Sequence, residues 1–303
     1  MSPTISIDEL NERFGVAGAA RFQAGAGGLA RAVITTPDAE AHVYLHGAHV
    51  THYQPAGHAP VLFLSPQSTF DAGHAIRGGV PIVFPWFGAR AGHPSSPDHG
   101  FGRISEWSVL EVTRGVGSVS IALALEPSDA TRATWDHRFR IVARIAVGAA
   151  LGIALEVENL SAQAFAFEEA LHTYLHVGDV ERASVAGLEG RAYLDKTDGF
   201  KRKTLGAAPL QLTSETDRVF LDTRGPYAVT DPAIGRRLMV EKTGSANTVV
   251  WNPWREKSAS MADLGPGQWR SMLCVETANV GDAAIRLEPG AHHSMRMLLR
   301  VEK

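Results

Sequence analysis

The sequence lacks the features that mark several whole classes of protein. Its 303 residues include one cysteine, Cys274, and no run of about 18 apolar residues. A single thiol excludes an internal disulfide framework and any metal site built from several cysteines. The missing apolar run predicts no membrane-spanning helix. A net charge of −3, without a long charged run, argues against a nucleic-acid surface or an anionic membrane as partner.

Signatures of nucleotide cofactors and of nucleophilic catalysis are also missing. No G-x-x-x-x-G-K-[ST] loop and no strand–G-x-G-x-x-G–helix unit occurs, so we expect no cofactor of that kind. There is no G-x-S-x-G, and Cys274 lies in an apolar strand, where a thiol is usually inert. The 13 histidines show no metal-binding spacing, so we predict no metal. The N-terminus has no basic segment followed by an apolar one, which predicts a cytoplasmic protein.

Most of the chain consists of short segments in which apolar residues recur with a period of two. These segments are residues 42–53, 118–125, 151–158 and 295–301, and residues 61–64 form a short, continuous apolar run. Frequent turn signals separate them, and strands do not alternate with helices as in a parallel sheet. The sequence therefore predicts an all-β fold, a large antiparallel β-sandwich or barrel, as a single domain over residues 1–303.

The first segment is the one clear helix that the pattern predicts. Ser6 and Glu9 are spaced as a capping box, apolar residues follow at helical spacing, and Gly15 can end the helix. We expect residues 1–20 to form a helical segment that packs on the β domain.

A carboxylate that follows an apolar strand is the first candidate for chemistry. Residues 249–251 and 272–275 are apolar runs on either side of a polar loop, and Glu276 ends the second run. A buried carboxylate is costly, so it is usually paired, hydrogen-bonded or functional. Two readings stay open from the pattern: a strand-end glutamate turned to water, and a functional carboxylate facing the side chains of Met272 and Cys274.

A second candidate is the segment of residues 165–179. As a strand it would place His172, Tyr174 and His176 on one polar, aromatic face, as in the wall of a polar-ligand cleft. A single histidine on a strand is more often structural. His172 together with Glu276, however, would make a natural acid–base pair near neutral pH.

Two glycine-rich segments carry cationic side chains. Arg77 precedes two glycines, whose backbone can approach a ligand closely. Asp98, His99 and Arg103 lie together in a second such segment. Arginines on loops of this kind suit an anionic or polyhydroxyl ligand, although a surface arginine beside a tight turn would look the same.

Six ordered motifs resemble one known family. They are IRGGVPIVFPWFG, DHGFGR, EALHTYLHVGD, GLEGRAYLDKT with TDRVFLDT, VVWNPW and MLCVETAN. Together they are similar to the D-hexose-6-phosphate mutarotases (glucose-6-phosphate 1-epimerases) of the aldose 1-epimerase superfamily, from about residue 46 to residue 301. The resemblance implies a galactose-mutarotase-like β-supersandwich.

The resemblance also implies roles for individual residues. His172 and Glu276 match the catalytic histidine and glutamate. The implied substrate-binding positions are Arg77, Asp98, His99, Arg103 and Asp217. Asp98 stands where relatives often have Gln, and an ionised carboxylate can only accept hydrogen bonds. Asp263 lies in a family-like segment, but we assign it no catalytic role.

The expected reaction is anomer interconversion of a hexose 6-phosphate, with Glu276 as general base and His172 as general acid. It needs neither metal nor cofactor. On this assignment the acidic limb of the pH profile reports Glu276 and the alkaline limb His172. Two alternatives stay open: the same reaction on unphosphorylated aldoses, and a carbohydrate-binding or sensing protein without turnover. We expect a monomer whose partner is a small sugar phosphate.

Overall fold

The computed structural model describes residues 5–302, and strands dominate its regular structure. The α-helices of this range are α1 (Ile7–Phe14), α2 (Asp129–Thr134) and α3 (Trp254–Ser258). The first strands in chain order are β1 (Ala20–Ala24), β2 (Ala30–Thr35), β3 (Ala39–Tyr44), β4 (His49–Pro55), β5 (Ile82–Val83), β6 (Ser108–Arg114), β7 (Val119–Leu125), β8 (Phe139–Val147), β9 (Leu151–Asn159), β10 (Phe165–Phe167), β11 (Glu169–Leu171) and β12 (Tyr174–His176). The later strands are β13 (Ser184–Ala186), β14 (Ala192–Asp195), β15 (Lys201–Thr204), β16 (Leu210–Gln211), β17 (Thr216–Phe220), β18 (Tyr227–Asp231), β19 (Arg236–Thr243), β20 (Asn247–Asn252), β21 (Met272–Asn279), β22 (Ile285–Leu287) and β23 (His292–Glu302).

Two large antiparallel sheets hold most of these strands. The nine-stranded sheet has the order β16-β13-β18-β19-β23-β9-β8-β7-β6. The eight-stranded sheet has the order β15-β14-β17-β20-β21-β11-β5, and β12 also pairs with β21. A four-stranded sheet, β1-β2-β3-β4, and the pair β10-β22 hold the rest. The prediction of an all-β antiparallel fold is confirmed.

The two large sheets share an apolar core. Ile153 and Leu155 of β9 belong to the same buried cluster as Leu273 and Val275 of β21. Full burial of such side chains stabilises the fold by roughly 1.5–3 kcal/mol each. Because successive strand residues point to opposite faces, the even-numbered residues of β21 point to the face opposite that of Leu273 and Val275. That second face of the eight-stranded sheet can therefore carry polar side chains.

Two predicted strands differ in the structure. Residues 61–64 are not a strand, because they make only isolated bridges and a proline stands on each side of the segment. Residues 42–53 belong to two strands, β3 and β4, which pair as a hairpin with a register shift near His42. The alternation of residues 118–125, 151–158 and 295–301 is confirmed in β7, β9 and β23.

The predicted N-terminal helix is present as α1. Ser6 accepts a hydrogen bond from the Glu9 backbone N–H at 3.2 Å, which is half of the expected capping box, and Gly15 follows the last turn. The helix packs on β1: Leu10 is buried, and the Asn11 side chain makes two 2.8 Å hydrogen bonds to the backbone of the facing strand. Residues 1–4 of the predicted N-terminal segment lie outside the described residues.

Helices α2 and α3 were not predicted. The six residues of α2 carry no apolar stripe that would reveal a helix, although Ser128 and Thr131 form a reciprocal capping box at its start. The five-residue α3 lies inside the polar loop predicted between residues 251 and 272. Of the helices that the structure describes, none has the length and hydropathy needed to span a bilayer.

A partly buried ion pair connects the two large sheets. His293 on β23 places Nε2 3.0 Å from Oε1 of Glu169 on β11, and the Asn279 amide donates to the same oxygen at 2.8 Å. The hydrogen bond and charge of Glu169 raise the pKa of His293. Because the folded-state pKa is the higher one, this pair stabilises the fold below the unfolded-state pKa of about 6.5. Its contribution is lost as the pH rises through the folded-state value.

We therefore predict a pH-dependent effect of His293→Gln on stability. The difference in unfolding free energy between wild type and variant should be largest at acidic pH and should shrink as the pH rises past about 6.5. Urea unfolding at a series of pH values measures it, with the exposed His93→Gln as control. A difference that stays constant or grows with pH would contradict the prediction.

Candidate active site

Glu276 occupies the middle of β21, opposite Val249 of β20. The strand continues for three residues beyond it, to Asn279. With 1% of its surface exposed, it is not the strand-end glutamate turned to water that one reading predicted. Neither carboxylate oxygen has a hydrogen-bond partner among residues 5–302. Buried polar atoms are rarely left in this state, so the carboxylate is available to an incoming group.

His172 lies against this carboxylate. Its Nε2 is 3.4 Å from Oε1 of Glu276, and both side chains are buried. The ring stacks on Tyr174 at 4.8 Å and meets the edge of Trp251 at 5.8 Å. The structure thus brings together the two residues that the sequence predicted as an acid–base pair.

The predicted single strand over residues 165–179 is broken at this point. It forms β10, β11 and β12, and His172 lies between the last two. The His172 backbone N–H donates to the Pro81 carbonyl at 3.0 Å instead of to the neighbouring strand β21. The break leaves His172 and Tyr174 side by side. His176, predicted on the same face, lies instead near Arg236 and Asp231.

Burial pushes both members of the pair toward their neutral forms. The pKa of Glu276 is raised well above its ordinary value by burial and then by Asp217, while Lys196 and Arg103 oppose the shift. The pKa of His172 is lowered well below its ordinary value by burial, then by the neighbouring His99 and by nearby arginines. Together the two groups therefore hold one proton over a wide pH range.

Arg77 reaches the site but is already engaged. Its Nε and Nη2 contact Oδ2 of Asp263 at 3.0 and 2.9 Å, and Nη1 donates to the Tyr174 hydroxyl at 3.0 Å. The following glycines are needed for the path of the loop: a Cβ on Gly79 would lie 2.3 Å from the Val50 carbonyl oxygen. Asp263, to which the sequence assigned no catalytic role, is thus the partner of Arg77.

Arg103 is held differently. Its Nη2 donates to the Asp98 carbonyl at 2.9 Å, while its Nε is buried without a partner among the described residues. No carboxylate of residues 5–302 forms an ion pair with it. Asp98 contributes a backbone oxygen here, and its side chain is exposed. A sugar contact from the Asp98 carboxylate stays a prediction.

His99 lies next to His172. Its ring lies 5.6 Å from that of His172 and packs edge-on against Phe87 at 4.8 Å. Because the Gly88 N–H donates to Nδ1 at 3.3 Å, the proton of the neutral ring is on Nε2, which leaves a donor for a ligand. Burial, followed by Arg103, lowers the pKa of His99 and so favours this neutral form.

Asp217 reaches the site from β17, beside Trp251 of β20. It is paired with Lys196, whose Nζ lies 2.9 Å from Oδ2 of Asp217 and above the Phe87 ring. Sequence reasoning missed Lys196 and gave Tyr174 no role. The YLDKT motif contained the lysine, but only the folded sheet places it next to Asp217.

A family model described as Aldose 1-epimerase matches residues 31–300. This chain belongs to the aldose 1-epimerase family. It is 35% identical over 272 residues to an Escherichia coli (strain K12) protein named "Putative glucose-6-phosphate 1-epimerase", covering 89% of this chain and 90% of that protein.

Solved structures show the same fold. One described as "a putative mutarotase (YeaD) from Salmonella typhimurium" is 31% identical, with a TM-score of 0.89 and 96% of each chain covered. A galactose mutarotase-like protein from Clostridium acetobutylicum has a TM-score of 0.73 at 13% identity, with 94% of this chain and 98% of that one covered. The galactose-mutarotase-like architecture that the motifs implied is confirmed.

Proposed function

We propose that this protein interconverts the α and β anomers of a hexose 6-phosphate by general acid–base catalysis. The buried pair of His172 and Glu276, 3.4 Å apart and with an unpartnered carboxylate, carries this proposal. Mutarotation requires one base and one acid near a single hemiacetal. Family membership supports the reaction class, and the name of the Escherichia coli relative supports the phosphorylated substrate.

Ring opening moves two protons. Glu276 removes the proton of the C1 hydroxyl, and His172 donates a proton to the ring oxygen. The bond from C1 to the ring oxygen breaks as the C1 carbonyl forms. After rotation about C1–C2, the ring hydroxyl attacks the other face of the carbonyl. His172 then takes the hydroxyl proton, and Glu276 returns its proton to the C1 oxygen.

The protonation state of the site suits this cycle. Opening begins with Glu276 ionised and His172 protonated, and it ends with both groups neutral. The charged and the neutral states of the pair contain the same single titratable proton. Transfer of that proton between the two side chains therefore converts one state into the other. The pKa shifts favour the neutral state in the free enzyme. At 3.4 Å, a small side-chain movement would bring Nε2 and Oε1 to hydrogen-bond distance.

Cations near the pair would bind the rest of the substrate. Arg77 and Arg103 are near enough for the charge of Arg77 to lower the pKa of Arg103, after the larger effect of burial. Two guanidinium groups together suit a phosphate, to which charge-assisted hydrogen bonds are strong. Asp217, oriented by Lys196, and the Nε2–H of His99 would bind ring hydroxyls.

Exchange NMR with glucose 6-phosphate and with glucose tests the proposal. Faster anomer exchange of the phosphorylated sugar is expected. Faster exchange of free glucose would favour the alternative of an unphosphorylated aldose as substrate. The observation in favour of that alternative is the ion pair in which Asp263 neutralises Arg77. No exchange above the uncatalysed rate with either sugar, combined with saturable binding, would favour the non-catalytic sugar-binding alternative.

The pH profile of kcat/KM is predicted to be bell-shaped, because the active pair contains one proton. Activity falls on the acidic side when His172 gains a second proton, at a pH below its ordinary pKa because that pKa is lowered. It falls on the alkaline side when Glu276 loses the last proton, above the ordinary carboxyl pKa because that pKa is raised. These pKa directions assign the acidic limb to His172 and the alkaline limb to Glu276, which reverses the assignment made from the sequence.

Residual activities of the variants check the assigned roles. In Glu276→Gln the remaining acid, His172, acts only when it is protonated, so the residual activity should fall as the pH rises and should show no acidic limb. In His172→Asn the remaining base, Glu276, acts only when it is ionised, so the residual activity should rise with pH and should show no alkaline limb. The opposite pattern would contradict these roles.

A further inference from the structure

We propose that the catalytic cleft is also a binding site for a thiophilic divalent cation such as Zn²⁺, held by His172, Cys274 and Glu276. Such an ion would inhibit the enzyme. Inhibition rests on the proposed acid–base function, whereas metal binding does not. No other cluster with this combination of donors occurs among residues 5–302.

The donor atoms already converge. One nitrogen, one sulfur and one carboxylate oxygen lie within 4.8 Å of one another, and the nitrogen and oxygen are 3.4 Å apart. Tetrahedral zinc with bonds of about 2.0–2.3 Å requires donor separations of roughly 3.3–3.6 Å. Side-chain adjustments of about 1 Å would complete three corners of the tetrahedron. A water molecule can fill the fourth, as it does in zinc sites with three protein ligands.

The fold directs the thiol into the cleft. Cys274 and Glu276 are two residues apart on β21 and therefore lie on the same face. Cys274 is flanked by Trp251 of β20 and Tyr174 of β12. Acid–base catalysis uses the histidine and the carboxylate but not the thiol. The unpartnered oxygens of Glu276 provide an observation independent of the cysteine, because both oxygens are buried and one of them lies within 4.8 Å of the other two donor atoms.

Charge and donor type select the ion. Mg²⁺ and Ca²⁺ prefer all-oxygen sites, whereas a nitrogen, sulfur and oxygen set suits Zn²⁺. Arg77, Arg103 and Lys196 make the cleft unfavourable for an unbalanced cation. A thiolate and a carboxylate balance the two charges of the ion, so the occupied site adds no net positive charge. Binding releases two protons to solvent, that of the Cys274 thiol and the one held by the pair of His172 and Glu276, and affinity should therefore increase with pH.

Binding would block both proton transfers. The lone pairs that accept protons on His172 and Glu276 would be directed at the ion, and the ion would occupy the place of the C1 hydroxyl. Inhibition should thus be competitive with the sugar and reversible by a chelator.

Cobalt substitution tests the site without relying on activity. Because the chain has one cysteine, a thiolate-to-cobalt absorption band can come only from Cys274. Co²⁺ added to the full-length protein should produce that band together with the visible spectrum of a tetrahedral ion, and Zn²⁺ should abolish both. Cobalt binding without the thiolate band would mean attachment to surface histidines only and would overturn the proposal.

Calorimetry and inhibition with Zn²⁺ extend the test. Loss of a residue that only hydrogen-bonds to a metal ligand typically weakens metal binding about 10–100-fold, so loss of a direct ligand in Cys274→Ala should weaken it by at least about 100-fold. The same variant should keep its metal-free turnover and resist Zn²⁺. If it does not fold, Cys274→Ser replaces it. Equal inhibition of wild type and variant would overturn the proposal. Absence of anomer exchange in the wild type would instead count against the proposed function, while the cobalt spectrum still decides the metal site.

Discussion

Glu276→Gln and His172→Asn are each expected to lower kcat by at least about 10²-fold, because a positioned proton transfer contributes about 10²–10⁴-fold. The amide of Gln has the shape of the carboxyl group but can neither accept nor donate the transferred proton. The Asn side chain likewise cannot titrate. Since burial favours a neutral carboxyl group at position 276, its neutral replacement should leave the fold intact.

Matched variants separate loss of chemistry from loss of structure. Glu169→Gln removes another fully buried carboxylate from the same sheet, and His176→Asn removes a half-buried histidine four residues from His172. Both controls should keep kcat within a few-fold of the wild-type value. This change is much smaller than the decrease expected when a proton transfer is lost. Near wild-type turnover in a folded Glu276→Gln or His172→Asn variant would remove that residue from the mechanism.

The sheets could be predicted because local pattern and burial agree. In β9 and β23 the apolar residues alternate with charged ones, and the structure buries the apolar face. The strand predicted over residues 61–64 is wrong because residues 61–63 of this apolar run are buried without pairing as a strand. The short helix α2 was missed because it lacks an apolar stripe. Periodicity reports which side chains are buried, but it does not report which backbone groups pair.

The site could be predicted in its residue types but only partly in its contacts. Glu276 stood out because a carboxylate beside an apolar run is unusual, and the ordered motifs placed His172 with it. The pairing of Arg77 with Asp263 joins residues 186 positions apart, and nothing local to either residue indicates it. The lysine beside Asp217 was overlooked for the same reason. Electrostatics at the site depends on such long-range pairs, so the pKa directions required the fold.

Glucose 6-phosphate is expected to be preferred over glucose by at least about 10²-fold in kcat/KM. A hydrogen bond to a charged group contributes roughly 1.5–3 kcal/mol, and about 1.4 kcal/mol corresponds to a factor of ten. Arg77 and Arg103 are expected to contribute unequally to this preference. Asp263 already neutralises Arg77, whereas Arg103 has a buried Nε without a partner and no ion pair among the described residues. Arg103 should therefore carry the larger share.

Arg103→Met is accordingly expected to raise KM for glucose 6-phosphate by at least tenfold and KM for glucose far less, since about 1.4 kcal/mol is tenfold. Arg77→Met should have a smaller phosphate-selective effect, because Asp263 already neutralises the charge that Arg77 could offer to the phosphate. Arg90→Met is a matched control: it removes the same charge from a neighbouring loop, where Arg90 stacks on Trp86 and donates to the Thr134 carbonyl.

Steady-state kinetics on both sugars at two salt concentrations measures these effects. Salt should weaken binding of the phosphorylated sugar by wild type more than by Arg103→Met, because it screens the charge pair that the variant lacks. The arginine control should behave as wild type in both respects. If Arg103→Met instead loses activity equally on the two sugars, the guanidinium serves the ring hydroxyls or the fold. The site would then be one for neutral aldoses, with the Arg77–Asp263 pair acting as a hydrogen-bonding unit of no net charge.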